Sequence, residues 1–149
     1  MRKLVEELTK EVAGKLKLPP PPINFITKDL FLDIARANPV TQFFANALDD
    51  FEKDYPNFIG AASGSILFSV EIAEEKLKPF DIVSIKAYLK HAIAHEIFHI
   101  HYGEMDEDEE VNAELFAFRV VEREAYLKIH EALWKNIIER VATDAREDV

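Results

Sequence analysis

Residues 82 to 102 place apolar side chains at helical spacing directly through a cluster of histidines. The segment HAIAHEIFHIHYG, residues 91 to 103, holds four of the five histidines of the chain, with no proline or glycine before Gly103. The apolar repeat predicts a long helix with one buried face, begun by Asp81 as its N-cap. That face consists of Ile82, Ile85, Leu89, Ala92, Ile93 and Ile97. The chain must therefore pack an imidazole-bearing helix against its core.

Two of these histidines and a glutamate form HEIFH, an HExxH pattern. His95 and His99 are four residues apart on the predicted helix, so both imidazoles project from one face and can reach one ion. Glu96 follows the first histidine, where a carboxylate can take a proton from water without being a ligand itself. We therefore predict His95 and His99 as metal ligands and Glu96 as the general base.

The neighbouring histidines fit a shared ion less well. His91 lies eight residues before His99, about 12 Å along a helix axis, so the two cannot bind one ion with His95 between them. We predict that His91 is an ordinary helix residue or one that supports a ligand. His101 projects from another face of the helix, and the same prediction applies to it.

The composition limits the type of protein and the type of site. The 149 residues, 48% of them hydrophobic, predict one globular domain spanning 1–149. There is no cysteine, so any metal must be held by His, Asp or Glu. The net charge of −10 argues against nucleic acid and anionic membranes as partners. With neither an apolar signal segment nor a membrane-spanning run in the sequence, we expect a cytoplasmic protein.

The remaining segments predict a mixed α+β protein. Helices are expected at 3–17, 28–37 and 38–55, the last capped by Asn38 with Pro39 in its first turn. Strands are expected at 23–27 and 65–72, with a turn at 60–64 before the second. Residues 111 to 145 contain no proline or glycine and predict one long, unbroken helix after the acidic run at 105–110.

A third metal ligand must come from downstream of HEIFH. Zinc hydrolases usually use three protein ligands and keep a fourth position open. The sequence lacks the glycine and third histidine of the metzincin spacing, so a glutamate is the alternative. The candidates are Glu109, Glu110 and Glu114.

The segment E-V-N-A-E-L-F-A, residues 110 to 117, resembles the E-x-x-A-x-x-F-A glutamate helix that follows HExxH in gluzincin metallopeptidases. It is similar to that of the soluble minigluzincins, of membrane peptidases and heat-shock proteases related to them, and of the regulator-cleaving peptidases of phage immunity and radiation response. The resemblance implies a zincin-like α+β fold, in which a small mixed sheet packs against the active-site helix and a following glutamate helix.

By the same resemblance, Glu110 is the third ligand of one zinc ion, while Ala113, Phe116 and Ala117 pack the glutamate helix against the active-site helix. Glu114 stands where many gluzincins have an Asp that hydrogen-bonds a ligand histidine. The ligand types would also accept manganese, cobalt or iron.

The implied activity is zinc-dependent hydrolysis of peptide bonds in a peptide or protein substrate, with Glu96 as the general base. The strand at 65–72 would align the peptide if it forms the sheet edge. Side chains considered for stabilising the developing oxyanion are Arg119, Arg123, Tyr126 and His130. The alternative is a non-catalytic or latent protein that keeps the metal site as a stabilised partner-binding module. That alternative gives no reason for a base beside the ligands.

Overall fold

The chain forms a mixed α+β structure, as predicted. The structure, a computed structural model, describes residues 1–39, 41, 48–102 and 107–147, without the side chains of 107–110, 136, 140, 141 and 144–147. In chain order the elements are α1 (Arg2–Leu16), β1 (Ile23–Phe25), α2 (Lys28–Ala37), α3 (Phe51–Asp54), β2 (Ile59–Ala62), β3 (Ser65–Phe68), α4 (Val70–Leu77), α5 (Ile82–Tyr102), α6 (Glu107–Ala117) and α7 (Arg123–Glu147). The expected helices at 3–17, 28–37 and 82–102 and the strand beginning at residue 23 are confirmed.

The three described strands form one sheet in the order β1-β3-β2. β3 pairs in parallel with β1 and antiparallel with β2. β2 and β3 are joined by Ser63 and Gly64, whose φ angles of 53° and 79° are both positive, as a tight two-residue hairpin requires. The expectation that residues 65–72 could form the sheet edge is wrong, because β3 is the central strand. The edge beside α5 is β2.

The strand predicted at 65–72 is shorter in the structure. β3 ends at Phe68 because Ser69 caps a helix: its side chain accepts a hydrogen bond from the backbone N–H of Ile72. Val70, Glu71 and Ile72 therefore belong to α4.

Helix α5 is the centre of the core. Leu89, Ile93 and Ile97 on its predicted buried face have no exposed surface. They join one core cluster with Phe58, Ile66 and Phe68 from the sheet region and Val5 and Val12 from α1. The cap is as predicted, since hydrogen bonds from Ser84 lower the pKa of the Asp81 carboxyl. Ile82 is an exception to the predicted face: it is 55% exposed in the first turn.

The predicted unbroken helix from 111 to 145 is wrong. Residues 118–122 form a turn in which Arg119 and Val120 donate to the carbonyls three residues earlier, Phe116 and Ala117. After the break, α7 packs against α5 as α6 does. This arrangement buries Val121, Tyr126 and Ile129. Packing of these side chains replaces the helical hydrogen bonds lost at the turn.

The predicted helix at 38–55 falls partly outside the described residues, which omit 40 and 42–47. Within the described part it is wrong over 48–50, which are not helical. Asp50 instead caps the short helix α3, its side chain accepting from the backbone N–H of Lys53. Asn38 ends α2, donating its backbone N–H to the Ala35 carbonyl.

Among the helices that the structure describes, none combines the length and the apolar character that a membrane span needs.

Candidate metal centre

The two histidines of HEIFH lie together on one face of α5. Nε2 of His95 is 3.0 Å from Nε2 of His99. Two nitrogens bound to one tetrahedral zinc at about 2.0–2.1 Å lie about 3.3–3.4 Å apart. The pair needs to open by only a few tenths of an ångström to hold such an ion. The nitrogens thus fit two positions of a zinc site.

Glu114 of α6 joins this pair through His95. Its Oε1 lies 2.6 Å from Nδ1 of His95, and its Oε2 lies 3.0 Å from Nε2 of His91. Burial raises the pKa of the Glu114 carboxyl, but hydrogen bonds from His91 and His95 outweigh it and hold the pKa well below its usual range. An ionised Glu114 accepts a hydrogen bond from Nδ1–H of His95. Because the ring proton is then on Nδ1, Nε2 of His95 is the basic nitrogen. This is the contact that the resemblance implies for position 114, made here by Glu.

His91 takes part in the same cluster through its contact with Glu114. It is 1% exposed, and its ring stacks on Tyr126 of α7 with centroids 3.6 Å apart. Its Nε2 is hydrogen-bonded to Oε2 of Glu114, whereas its Nδ1 has no hydrogen-bond partner among the described residues. His91 therefore supports a predicted ligand through the carboxylate that both histidines share. His101 is exposed, with Nε2 3.4 Å from the Pro19 carbonyl oxygen.

The structure describes the side chain of Glu96, the predicted base, but not that of Glu110, the predicted third ligand. Glu96 is 6% exposed and lines the same cleft as His95 and His99. The backbone of Glu110 lies in α6, but its side chain and that of Glu109 are outside the described part of the chain. The described side chains contain no group of three His, Asp or Glu residues able to hold a metal. Glu110 therefore remains a prediction as the third ligand.

A cleft of about 1330 Å³ opens over these residues. Its lining includes the histidine face of α5 and β2 with the hairpin at 63–64. It also includes Tyr126, His130 and Trp134 of α7 and Phe31 and Ile34 of α2. Asn57 holds the start of β2, because its Oδ1 accepts from the backbone N–H groups of Phe58 and Ile59.

The structure separates the four side chains considered for oxyanion stabilisation. Tyr126 and His130 line the cleft, and the Tyr126 hydroxyl lies 2.8 Å from Nδ1 of His130. Burial raises the pKa of Tyr126 and lowers that of His130, so a protonated phenol faces a neutral imidazole. In the tautomer in which the phenol donates to Nδ1, the proton of His130 is on Nε2. Arg119 lies over the Phe116 ring at 5.3 Å and Arg123 is exposed; neither lines the cleft.

Sequence reasoning did not identify the pairing of Tyr126 with His130 or the sharing of Glu114. The available signal was spacing: Tyr126 and His130 are four residues apart, as are His91 and His95, so each pair occupies one helical face. Which faces meet depends on the turn at 118–122.

Comparison of the chain with protein-family models, with curated proteins and with solved structures found no match.

Proposed function

We propose that the protein is a zinc-dependent peptidase whose metal ligands are His95, His99 and Glu110. One observation carries the proposal: Glu114 accepts from Nδ1 of His95, while Nε2 of that ring lies 3.0 Å from Nε2 of His99. A carboxylate behind a ligand histidine is the usual support of a zinc site.

A zinc ion bound there would supply Lewis-acid chemistry, acidifying water and polarising a carbonyl group. Glu96 provides the acid–base steps. Its carboxylate takes a proton from the attacking water as the oxygen bonds to the carbonyl carbon, then passes that proton to the leaving nitrogen as the C–N bond breaks. His130, with its proton on Nε2, is the donor proposed for the developing oxyanion.

The outer edge of β2 is the argument for a peptide as the substrate. Among the described residues, β2 pairs with β3 alone, so its other edge is not paired with a strand. The cleft runs beside this edge from Ile59 to Gly64. An extended peptide can add to such an edge by main-chain hydrogen bonds, which suit peptides of many sequences. The aligning strand proposed here is therefore β2.

Metal content and cleavage test the proposal together. The wild type, Glu110→Ala and the matched surface control Glu124→Ala are stripped with chelator, refilled with zinc and measured by elemental analysis. We expect about one zinc per chain in the wild type and control, and far weaker retention in Glu110→Ala. A wild type that holds no zinc at neutral pH would overturn the proposal.

Cleavage of a peptide library is then compared between the wild type and Glu96→Gln. Loss of cleavage with zinc retained supports Glu96 as the base. Zinc binding with no cleavage by the wild type would favour the non-catalytic module instead.

A further inference from the structure

Charged side chains are few in the described lining of the cleft beside β2. Its described lining includes neither lysine nor arginine, and its carboxylates are Glu96 and Glu114. Residues 40, 42–47 and 103–110, whose placement or side chains lie outside the described part of the chain, also contain no lysine or arginine; the cationic side chains not described are Arg140 and Arg146 of α7. No cation is therefore available from these segments to meet a carboxylate of a bound peptide.

The rest of the lining is largely apolar. Tyr55 and Tyr88 contribute buried aromatic rings, Trp134 adds an indole, and Ile34 is 42% exposed. An apolar side chain that moves from water onto this surface gains roughly 25 cal/mol for each Å² of apolar area it buries. A carboxylate in the same place loses hydration and faces the carboxylates of Glu96 and Glu114. Apart from the zinc of the proposed function, whose charge Glu110 would partly neutralise, the described lining offers it no cation, so its burial there is costly.

We infer that the cleft selects peptide segments with apolar side chains beside the scissile bond and rejects segments that carry Asp or Glu there. This inference rests on the proposed function, because it assigns the substrate class of the same cleft. Main-chain and side-chain contacts have different roles in this selection. Main-chain pairing along β2 holds any extended peptide, so the side chains that enter the cleft decide which peptide is held.

The test uses three fluorescent extended peptides that are identical except for the two residues that flank the intended bond: Leu-Leu, Gln-Gln and Glu-Glu. Gln matches Glu in size, so that pair isolates charge, and Leu against Gln isolates apolar contact. Binding to the zinc-loaded Glu96→Gln variant, which keeps the Glu114 carboxylate, is measured by anisotropy. Hydrolysis by the wild type, which keeps both carboxylates, is measured by mass spectrometry. We expect Leu-Leu to bind most tightly, Glu-Glu most weakly, and the two to differ at least about tenfold.

A charge insertion then tests the cause. Ala62 lines the cleft at the exposed end of β2, so Ala62→Lys adds a cation on its rim, and Ala62→Gln is the neutral control. In the Glu96→Gln background, we expect Ala62→Lys to reduce the preference for Gln-Gln over Glu-Glu at least about threefold and Ala62→Gln to leave it unchanged.

Equal binding of Gln-Gln and Glu-Glu, no binding of any peptide, or a preference that Ala62→Lys does not alter would each overturn the inference. These results are distinct from failure of the proposed function. Preferential binding without hydrolysis by the wild type removes the peptidase proposal and leaves the selectivity. Hydrolysis without preference removes the selectivity alone.

Discussion

Oε1 of Glu114 lies 2.6 Å from Nδ1 of His95, a hydrogen bond that ties α6 to the HEIFH turn of α5. Because the carboxylate is ionised, Nδ1 keeps its proton and Nε2 of His95 becomes the nitrogen that can bind an ion. The bond thus fixes both the tautomer and the rotation of the ring.

Replacing Glu114 with Gln should weaken zinc binding about 10- to 100-fold, because an amide is a poorer acceptor and presents N–H groups to imidazole donors. Competition with a chelator of known affinity measures the change. Glu124→Gln, an exposed glutamate at the start of α7, is the control. Unchanged affinity in Glu114→Gln would mean that the hydrogen bond does not support a ligand.

His91→Phe should weaken zinc binding less than Glu114→Gln does. A phenyl ring can keep the stacking on Tyr126, but it cannot donate to Oε2 of Glu114, so the carboxylate loses one of its two imidazole partners. The same chelator competition measures the effect, and circular dichroism checks that the helices are retained. His91→Gln, which restores a donor, should recover part of the affinity; no recovery would argue against the donor role.

His130→Ala should lower kcat for peptide hydrolysis on the order of 10²-fold without changing zinc content, as expected for loss of a donor to an oxyanion. Tyr126→Phe should lower kcat less, because it removes only the hydroxyl 2.8 Å from Nδ1 of His130. His101→Ala, on the exposed side of α5, serves as the control. A normal kcat in His130→Ala would exclude this assignment.

The Glu11 carboxylate of α1 lies 3.1 Å from Nζ of Lys90 on α5. This hydrogen bond lowers the pKa of Glu11 below its ordinary value of 4.5, so its contribution to stability is present above pH 4.5 and lost as pH falls through the lowered pKa. Because the Glu11 side chain is 44% exposed, the contribution is small, about 0.5 kcal/mol.

Urea unfolding of the wild type and Glu11→Gln as a function of pH measures this contribution. The two curves should differ near neutral pH and converge in acid. A difference that persists below the lowered pKa would assign the effect to packing instead of charge.

Gly64→Ala should destabilise the fold by about 1–2 kcal/mol, because its φ of 79° is unfavourable for a residue with a Cβ atom. An added Cβ would meet no atom within 4 Å, so the cost is conformational, not steric crowding. Ser63→Asn, at a φ of 53°, should be neutral or slightly stabilising, since Asn accepts positive φ. Urea unfolding distinguishes the two, and equal stabilities would contradict the hairpin geometry.

The sequence predicted well the features that depend on local periodicity. The bounds of α2 and α5 follow from apolar spacing and from caps such as Asp81, which act within one turn of helix. The pairing of His95 with His99 follows from the same periodicity.

The features that depend on packing could not be predicted. The turn after Ala117 contains no proline or glycine, so only the burial of Val121 and Tyr126 against α5 explains it. The central position of β3 likewise depends on the pairing of Ile66 with both Ile23 and Ala61. Two histidines of α5 share Glu114 because α6 packs against α5, and local periodicity does not predict that packing.

The groups of the proposed chemistry and the cleft-lining residues of β2 and α2 come from different parts of the chain. Three consecutive helices contain all of these groups between positions 91 and 130: His91, His95, Glu96, His99, Glu110, Glu114, Tyr126 and His130. The β2 edge and the α2 side chains come from the first half. Under the proposed function, mutations of cleft-lining residues in 28–64 that lie outside the core would change which peptide is accepted while the helices proposed to bind the ion stay intact.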